Sequence, residues 1–320
     1  MAVSMNAETI PAKVCVIVPA KGGGETLKKC LDSLLELDYP NKEIILVDDG
    51  IEADSRQALE GFKDKMKILK NTSPGPSVAR NLASGSTDAE FIAFTDSDCI
   101  VDVNWLHELT RIFQEHPEAA GGGGVQDIPM DATEFEKMVF RFMRKCGIIS
   151  DYARWTNSIS GVNHLPSCNA IYRREIYLKE GGFLKGLWPG EDVEFDYRIK
   201  KQGYALFFNP KAVVYHYKPR TLKAFLTMMR RYGEAQGFLV RKYGIFRRVQ
   251  FVPVFSLFFL LSLLISKVFA LWLLAALFIA SWLYFFGIYS LFLKGIFSWH
   301  LGFIRGLLNG SKDQKKDITD

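Results

Sequence analysis

From Val249 to Leu293 the chain carries one charged side chain, Lys267, in 45 residues. So apolar a stretch has to be taken out of water, into protein or lipid. As a single helix, Phe251 to Leu293 would run about 65 Å at 1.5 Å per residue, roughly twice a 30 Å hydrocarbon core. The length therefore predicts a fold-back at Ser266-Lys267, with spans near 249–266 and 270–293. The other arrangement open to it is an interfacial first helix, with Pro253 near its start, followed by one crossing. Either excludes a fully soluble protein, although 48% hydrophobic and 23% charged is an ordinary globular composition. The first 220 residues, with mixed charge, regular apolar runs and modest Gly and Pro, also exclude a disordered or low-complexity chain.

Positive charge is concentrated just ahead of this segment. Between Lys218 and Arg248 nine basic residues (Lys218, Arg220, Lys223, Arg230, Arg231, Arg241, Lys242, Arg247, Arg248) face one acid, Glu234, a local net of +8 in a chain whose total is +5. The positive-inside rule puts such a collar on the cytoplasmic face. A second role is to hold anionic headgroups or a phosphorylated lipid. No RNA-binding signature or zinc-finger spacing accompanies the charge, so no nucleic-acid partner is expected. The amino terminus lacks a basic patch followed by an apolar run, which predicts a cytoplasmic location for the region ahead of the membrane segment. After Lys294, Ile296 to Leu308 is interrupted by His300 and Arg305 and reads as a short amphipathic helix on the membrane surface. The five cysteines are scattered without a C-x-x-C pair, which speaks against a disulfide framework or a zinc site and for a reducing compartment.

The globular part alternates strand and helix. Val14–Val18 is a β-branched run closed by Pro19, the pattern of a strand buried on both faces. A helix over Leu27–Leu37 follows, then a strand Glu43–Val47 ending in Asp48-Asp49-Gly50. A helix near 54–64, a strand Met66–Leu69, the loop Asn71–Pro76, a helix Ser77–Ala83 and a strand Phe91–Phe94 complete the series, the last closing on Thr95-Asp96-Ser97-Asp98. This spacing predicts an α/β, Rossmann-like, mostly parallel sheet with its ligands at the carboxyl ends of the strands. Carboxylates gathered at those ends repel unless a cation or a donor-rich ligand lies among them. Asp96 and Asp98, directly after a buried strand, are accordingly read as metal-binding rather than as a solvated turn. Gly121–Gly124 reads either as a strand end that admits a sugar to the backbone or as a flexible turn. Asp131–Ile149 has apolar residues at 135, 138, 139, 142 and 143 on one helical face, with a basic flank that suits either a core helix or one lying against a membrane.

These motifs, in this order, resemble family 2 glycosyltransferases. Pro19-Ala20, Asp48-Asp49-Gly50, Gly75-Pro-x-x-Ala-Arg-Asn81 and Thr95-Asp-Ser-Asp98 are followed by Asn169-Ala-Ile-Tyr-Arg173, Gly181-Gly-Phe183, Gly190-Glu-Asp-Val-Glu194 and Arg198. The resemblance covers residues 13 to about 240 and implies the GT-A nucleotide-sugar-binding fold. It further implies inverting transfer of a sugar from a nucleotide-sugar to an acceptor with help from Mn²⁺ or Mg²⁺. Carried over by motif, Asp98 ligates the metal, Asp96 lies nearer the ribose and Asp49 accepts from the base. Pro19, Ala20, Gly75 and Arg80 border the nucleotide. Asp192 is the implied base that takes the acceptor's proton, while Asn169, Glu191 and Arg198 fall on the acceptor side. His216 is either a further metal ligand or a packed histidine, and His164 is structural or near the acceptor.

Two departures bear on the substrate. Lys21-Gly22-Gly23-Gly24-Glu25 stands where relatives have an aromatic, Asn and acids, so that Glu25 or the backbone has to replace the acid expected at Gly23. The Gln-x-x-Arg-Trp segment of processive synthases is missing, which predicts one sugar per encounter. The expected organisation is a tail (1–12), a catalytic domain (13–220), a basic amphipathic helix (221–248), a transmembrane hairpin (249–293) and a cytoplasmic tail (294–320). A membrane lipid or lipid-linked glycan is the expected acceptor. The reading from a different class is a non-catalytic nucleotide-sugar-binding or scaffolding protein of a membrane glycan-assembly complex.

Overall fold

The computed structural model describes residues 11–146, 157–256 and 267–309. Their contacts divide them into two compact units. The first takes the described residues of Met1–Asp127, Arg154–Phe183 and Phe195–His216; the second takes those of Ile128–Ala153, Leu184–Glu194 and Tyr217–Asp320.

The first unit is built on one nine-stranded sheet in the order β3-β2-β1-β4-β8-β6-β9-β5, with β7 pairing β9. The strands are β1 (Val14–Gly22), β2 (Lys42–Ile51), β3 (Lys67–Lys70), β4 (Phe91–Phe94), β5 (Cys99–Val101), β6 (Ala119–Asp127), β7 (Ser160–Val162), β8 (Ala170–Arg173) and β9 (Ala205–His216). Val14, Cys15, Val16, Ile17 and Val18 are all fully buried in β1, as an unbroken apolar run requires. Each such Val or Ile contributes about 1.5–3 kcal/mol by leaving water.

The helices are α1 (Glu25–Leu35), α2 (Ala53–Leu59), α3 (Pro76–Gly85), α4 (Trp105–Glu115), α6 (Arg174–Lys179) and the later part of α7 (Glu191–Lys201). Leu27, Cys30, Leu31 and Leu34 make the buried stripe of α1 at the i, i+3, i+4, i+7 spacing.

The expectation of a mostly parallel sheet holds for β3-β2-β1-β4 and for the β6–β9 pair, and the sheet as a whole is mixed. β8 enters antiparallel to both β4 and β6, and β9 is parallel to β6 but antiparallel to β5 and β7. In β6, Cβ atoms on Gly121, Gly122, Gly123 and Gly124 would run into Tyr172, Ile112, the Asn169 carbonyl and the Ala212 carbonyl respectively. These glycines let the centre of a crowded sheet close up; they are neither a sugar-facing strand end nor a turn. On β9 the register slips between Asn209 and Val213, where Pro210 has no N–H to give.

The second unit holds α5 (Glu134–Lys145), the first turn of α7, α8 (Leu222–Tyr243), α9 (Lys267–Tyr284) and α10 (Tyr289–Asn309). A reciprocal cap between Thr133 and Glu136 starts α5. The helix expected over 131–149 is thus shorter among the described residues, and 147–149 lie outside them. α8 packs on α10 through two Gly-x-x-x-Gly pairs, Gly233 and Gly237 against the backbone of Trp299 and Phe303, and Gly302 and Gly306 against that of Arg230 and Glu234. Small residues at both faces bring the two backbones together. Arg305 reaches Glu234 at 3.5 Å beside this seam.

The apolar segment differs from the expected hairpin. The proposed first span and its turn fall largely on 257–266, outside the described residues. The second span does not run from 270 to 293: α9 ends at Tyr284, Gly287 takes φ +79°, and a new helix starts at Tyr289. The short surface helix expected at 296–308 is the latter part of α10, a helix of 21 residues. Lys294, His300 and Arg305 interrupt its composition without breaking it, because the glycine stripe fixes it to α8. Among the described residues Tyr289–Leu308 is the one helix long and apolar enough to cross a membrane by length and composition. Leu291, Trp299 and Phe303 are buried, whereas Leu293, Phe297, Leu301, Ile304 and Leu308 are exposed.

Candidate active site

In the first unit the site begins where β4 stops. Thr95 is fully buried, and the chain then turns, the Cys99 N–H donating to the Asp96 carbonyl at 3.0 Å, before β5 begins. The turn leaves the side chains of Asp96 and Asp98 29% and 47% exposed. Antiparallel register sets Cys99 opposite His216, so the last residue of β9 arrives beside the acidic turn. His216 Nε2 lies 3.4 Å from Asp98 Oδ1, and its Nδ1 is 3.4 Å from Gln126 Oε1. One ligand atom each from Asp96, Asp98 and His216 can be chosen so that all lie within 4.8 Å of one another. Two carboxylates and an imidazole are an oxygen–nitrogen donor set that fits Mn²⁺ or Mg²⁺.

Arg80 is 1% exposed and ion-pairs with Asp96, its guanidinium 5.8 Å from the centre of the Phe183 ring. A buried guanidinium requires such a partner. Arg80 is therefore placed to fix the orientation of Asp96.

Asp48 and Asp49, the other acidic pair, lie within β2, which runs four residues beyond the expected Val47 end, to Ile51. Asp48 accepts from the Gly50 and Ile51 N–H groups at 2.9 and 2.8 Å and pairs with Arg56 at 3.0 Å. Partial burial pushes its carboxyl up, but the Ile51 and Gly50 N–H groups, Arg56 and Lys70 together hold it below the usual carboxylate range. Asp49 accepts from Asn71 Nδ2 at 2.6 Å and from the Gly75 N–H at 3.0 Å, tying down the loop that starts α3. Gly75 has φ +130°, a conformation that favours glycine, and Pro76 follows as the first helical residue. Pro19 and Ala20 are buried at the end of β1, Ala20 opposite Asp48. Gly22, Gly23 and Gly24 all take positive φ, and the Gly24 N–H is donated to Ser55 Oγ at 2.8 Å. Glu25 is exposed and pairs with Lys29 at 2.7 Å.

Two residues expected on the acceptor side are braces instead. Asn169 is fully buried; its Oδ1 accepts from Trp105 Nε1 at 2.8 Å and its amide donates to the Val125 and Ala212 carbonyls at 2.9 and 3.0 Å. Arg198 donates to the Glu180 and Gly182 carbonyls, holding the turn after α6. His164 joins a buried network around Asp196, which also accepts from the Leu165 N–H and the Tyr172 hydroxyl. Complete burial raises the Asp196 carboxyl, against His164, Leu165 and Tyr172, which stabilise its charge.

The cysteine spacing speaks against a zinc site, yet the fold brings two of the thiols to His216. Cys99 and Cys168 are both buried, and their sulfurs lie with a His216 ring nitrogen within 4.8 Å of one another. The hydrogen bond from Cys99, aided by His216 and opposed by burial, draws the Cys168 thiol below its ordinary value; burial holds Cys99 well above its own. The signal available was positional: Cys99 follows the acidic turn and Cys168 precedes Asn169.

In the second unit, Gly190 (φ +105°) leads into the first turn of α7. Glu191 and Glu194 are buried and Asp192 is half-buried. Glu194 accepts from the Tyr243 hydroxyl, and Asp192 Oδ1 from the Val193 N–H at 2.8 Å. Three carboxylates suit a helix amino terminus.

With this geometry in hand, comparison with known proteins gives the class. The Glycosyl transferase family 2 model matches residues 15–180, more than half of the chain, which therefore belongs to that family. A mannosyltransferase from Pyrobaculum calidifontis, solved with GDP-Man and Mn²⁺, superposes with a TM-score of 0.66 at 16% identity, over 93% of this chain and 88% of that one. GalNAc-T7, solved with UDP, GalNAc and Mn²⁺, superposes with a TM-score of 0.53 at 17% identity, over 73% of this chain and 51% of that one. The fold is GT-A.

Among curated relatives, a Methanococcus voltae dolichyl N-acetyl-alpha-D-glucosaminyl phosphate 3-beta-D-2,3-diacetamido-2,3-dideoxy-beta-D-glucuronosyltransferase is 26% identical over 79% of this chain and 81% of its own. Glycosyltransferase AglE of Haloferax volcanii is 27% identical over 61% of this chain and 64% of its own. The Mycobacterium tuberculosis pre-mycofactocin glycosyltransferase is 26% identical over 69% of this chain, which spans 46% of that protein. The chain is a glycosyltransferase.

Proposed function

We propose that this enzyme moves one sugar per encounter, with inversion, from a nucleotide-sugar to a membrane-associated acceptor at the cytoplasmic face. The observation that carries the reading is the convergence of Asp96, Asp98 and His216 at the end of β4. Asp98 and His216 hold a divalent cation, Mn²⁺ or Mg²⁺, and Asp96, oriented by Arg80, lies toward the ribose. Bound there, such an ion supplies positive charge against the departing nucleoside diphosphate. Asp49 accepts from the base, and Pro19, Ala20 and Gly75 border the nucleotide. The backbone of Gly22–Gly24, with Glu25 engaged by Lys29, replaces the acid that relatives carry at Gly23. Asp192 takes the proton from the acceptor hydroxyl, and Glu191 orients it.

A lipid-linked acceptor is supported by the dolichyl phosphate sugar named for the Methanococcus relative and by the apolar residues exposed on α9 and α10. The basic residues from Lys218 to Arg248, most of them exposed, suit anionic headgroups. We take residues 13–220 as the catalytic domain and the helices after them as the membrane anchor.

The test is a donor screen: purified full-length protein with a panel of nucleotide-sugars and Mn²⁺ or Mg²⁺, reading nucleoside diphosphate release with and without membrane lipid extract. Release with one donor class, raised by lipid, is the expected result. No release with any donor, wild type equal to Asp98→Ala, would sink the enzyme reading in favour of a scaffold. Asp192→Asn should abolish transfer to a hydroxyl; retention of most activity points to a phosphate acceptor, already ionised, and removes the base from the account.

A further inference from the structure

Beyond the transferase reading, we infer that Cys99, Cys168 and His216 form a second metal site, one for a thiophilic ion such as Zn²⁺, which shares His216 with the carboxylate site and shuts it off when filled. The three ligand atoms lie within 4.8 Å of one another in the folded chain. A tetrahedral Zn²⁺ with bonds of ~2.3 Å to sulfur and ~2.0 Å to nitrogen sets its ligands roughly 3.5–3.8 Å apart, so small side-chain rotations close the site. Register makes the cluster rigid: Cys99 and His216 are paired across β5 and β9, and Cys168 directly precedes Asn169, which is tied to Val125 and Ala212.

The two donor sets that meet at His216 differ in kind. Asp96 and Asp98 offer oxygen and suit Mg²⁺ or Mn²⁺, whereas two thiolates select Zn²⁺. An ion enters on the His216 and Asp98 side, since Cys99 is 0% and Cys168 4% exposed. Both sulfurs bind as thiolates, any thiol proton still present passing to solvent, and two protein thiolates with one imidazole leave a fourth position for water. Once His216 turns to the sulfurs it leaves Asp98, and the oxygen-rich site loses its nitrogen ligand. The absence of a C-x-x-C pair argues against a zinc ribbon or finger, but it does not bear on ligands that a sheet brings together.

Co²⁺ reports the site directly, because thiolate ligation gives an intense charge-transfer absorption that carboxylate ligation lacks. Full-length protein should take about one Co²⁺ per chain with that band, resist displacement by excess Mn²⁺ and lose the band to Zn²⁺. Cys99→Ser and Cys168→Ser should lose the band, while Cys146→Ser and Asp98→Ala keep it. In the transferase assay with Mn²⁺ well below its half-saturating concentration, Zn²⁺ at the protein's own concentration should cut the wild-type rate about tenfold and leave Cys168→Ser unaffected.

No charge-transfer band in the wild type, or a band that survives in both Cys99→Ser and Cys168→Ser, overturns the site. A Cys168→Ser enzyme as sensitive to Zn²⁺ as wild type overturns the shut-off, since Zn²⁺ would then be acting at the carboxylates. The spectroscopic arm needs no glycosyl transfer, so its failure is distinct from failure of the transferase reading. The wild-type band decides the matter even where a serine variant does not fold.

Discussion

The chain has two acidic pairs, one within β2 and one directly after β4, the two strands that flank β1, and the fold uses them differently. Asp48 and Asp49 are occupied by the N–H groups of Gly50, Ile51 and Gly75, by Asn71 and by Arg56. Asp96 and Asp98 instead face Arg80 and His216, and their carboxylates stay partly open to solvent. In sequence the two look alike, an acid-rich turn after an apolar strand. The difference lies in the course of the chain beyond each pair. Strand β2 continues past its acids to Ile51, and Asp49 fastens the loop between β3 and α3, whereas β4 stops, and its acids meet the end of a strand that arrives from more than a hundred residues further along.

Substitutions can break this contrast. Asp98→Ala should lower nucleoside diphosphate release about 10²–10³-fold with little change in melting temperature, because it removes a charge-stabilising carboxylate that is 47% exposed. Asp49→Ala should reverse that balance. Charge-assisted bonds from Gly75 and Asn71 are lost, costing about 1.5–3 kcal/mol by denaturant titration. Activity should fall as well, through a loosened nucleotide loop. His216→Gln should raise the Mn²⁺ concentration for half-maximal rate by at least ~10-fold with a modest effect at saturation.

Asp48→Asn should show the smallest effect, a small loss of stability near neutral pH that fades in acid. A carboxyl held below its unfolded value contributes stability that is fully present above the unfolded pKa and lost as pH falls through the folded one. Between about pH 7 and about pH 3 the wild type should therefore lose more melting temperature than Asp48→Asn does. Equal loss would remove the special role given to its N–H donors.

Much of this was legible beforehand because local chemistry forces it. Val14–Val18 and Phe91–Phe94 have no alternative to a doubly buried strand, and the order of motifs along the first half fixes the family. Legibility fell where contacts are long-range. Asn169 and Arg198 sit in family motifs yet serve as braces, since a motif does not reveal whether a side chain points into the core. Gly121–Gly124 gave no indication that Tyr172, Ile112 and Ala212 crowd it. The Cys99–Cys168–His216 cluster depends on strand register, which composition and cysteine spacing do not carry. In the C-terminal helices apolar content was read correctly, but the limits of α10 were not. Those limits follow from Gly287 and from glycines at 302 and 306 that match 233 and 237, a packing signal that hydropathy alone passes over.

The central claim is that the acids after β4, and not those in β2, hold the cation. Mn²⁺ binding followed by electron paramagnetic resonance, in the presence of nucleoside diphosphate, tests it with no need to know the acceptor. Wild type and Asp49→Asn should both deplete the free Mn²⁺ signal, while Asp98→Ala at the same protein concentration should leave it as in buffer with nucleotide alone. Depletion by Asp98→Ala equal to wild type, or its loss in a folded Asp49→Asn, would contradict the account.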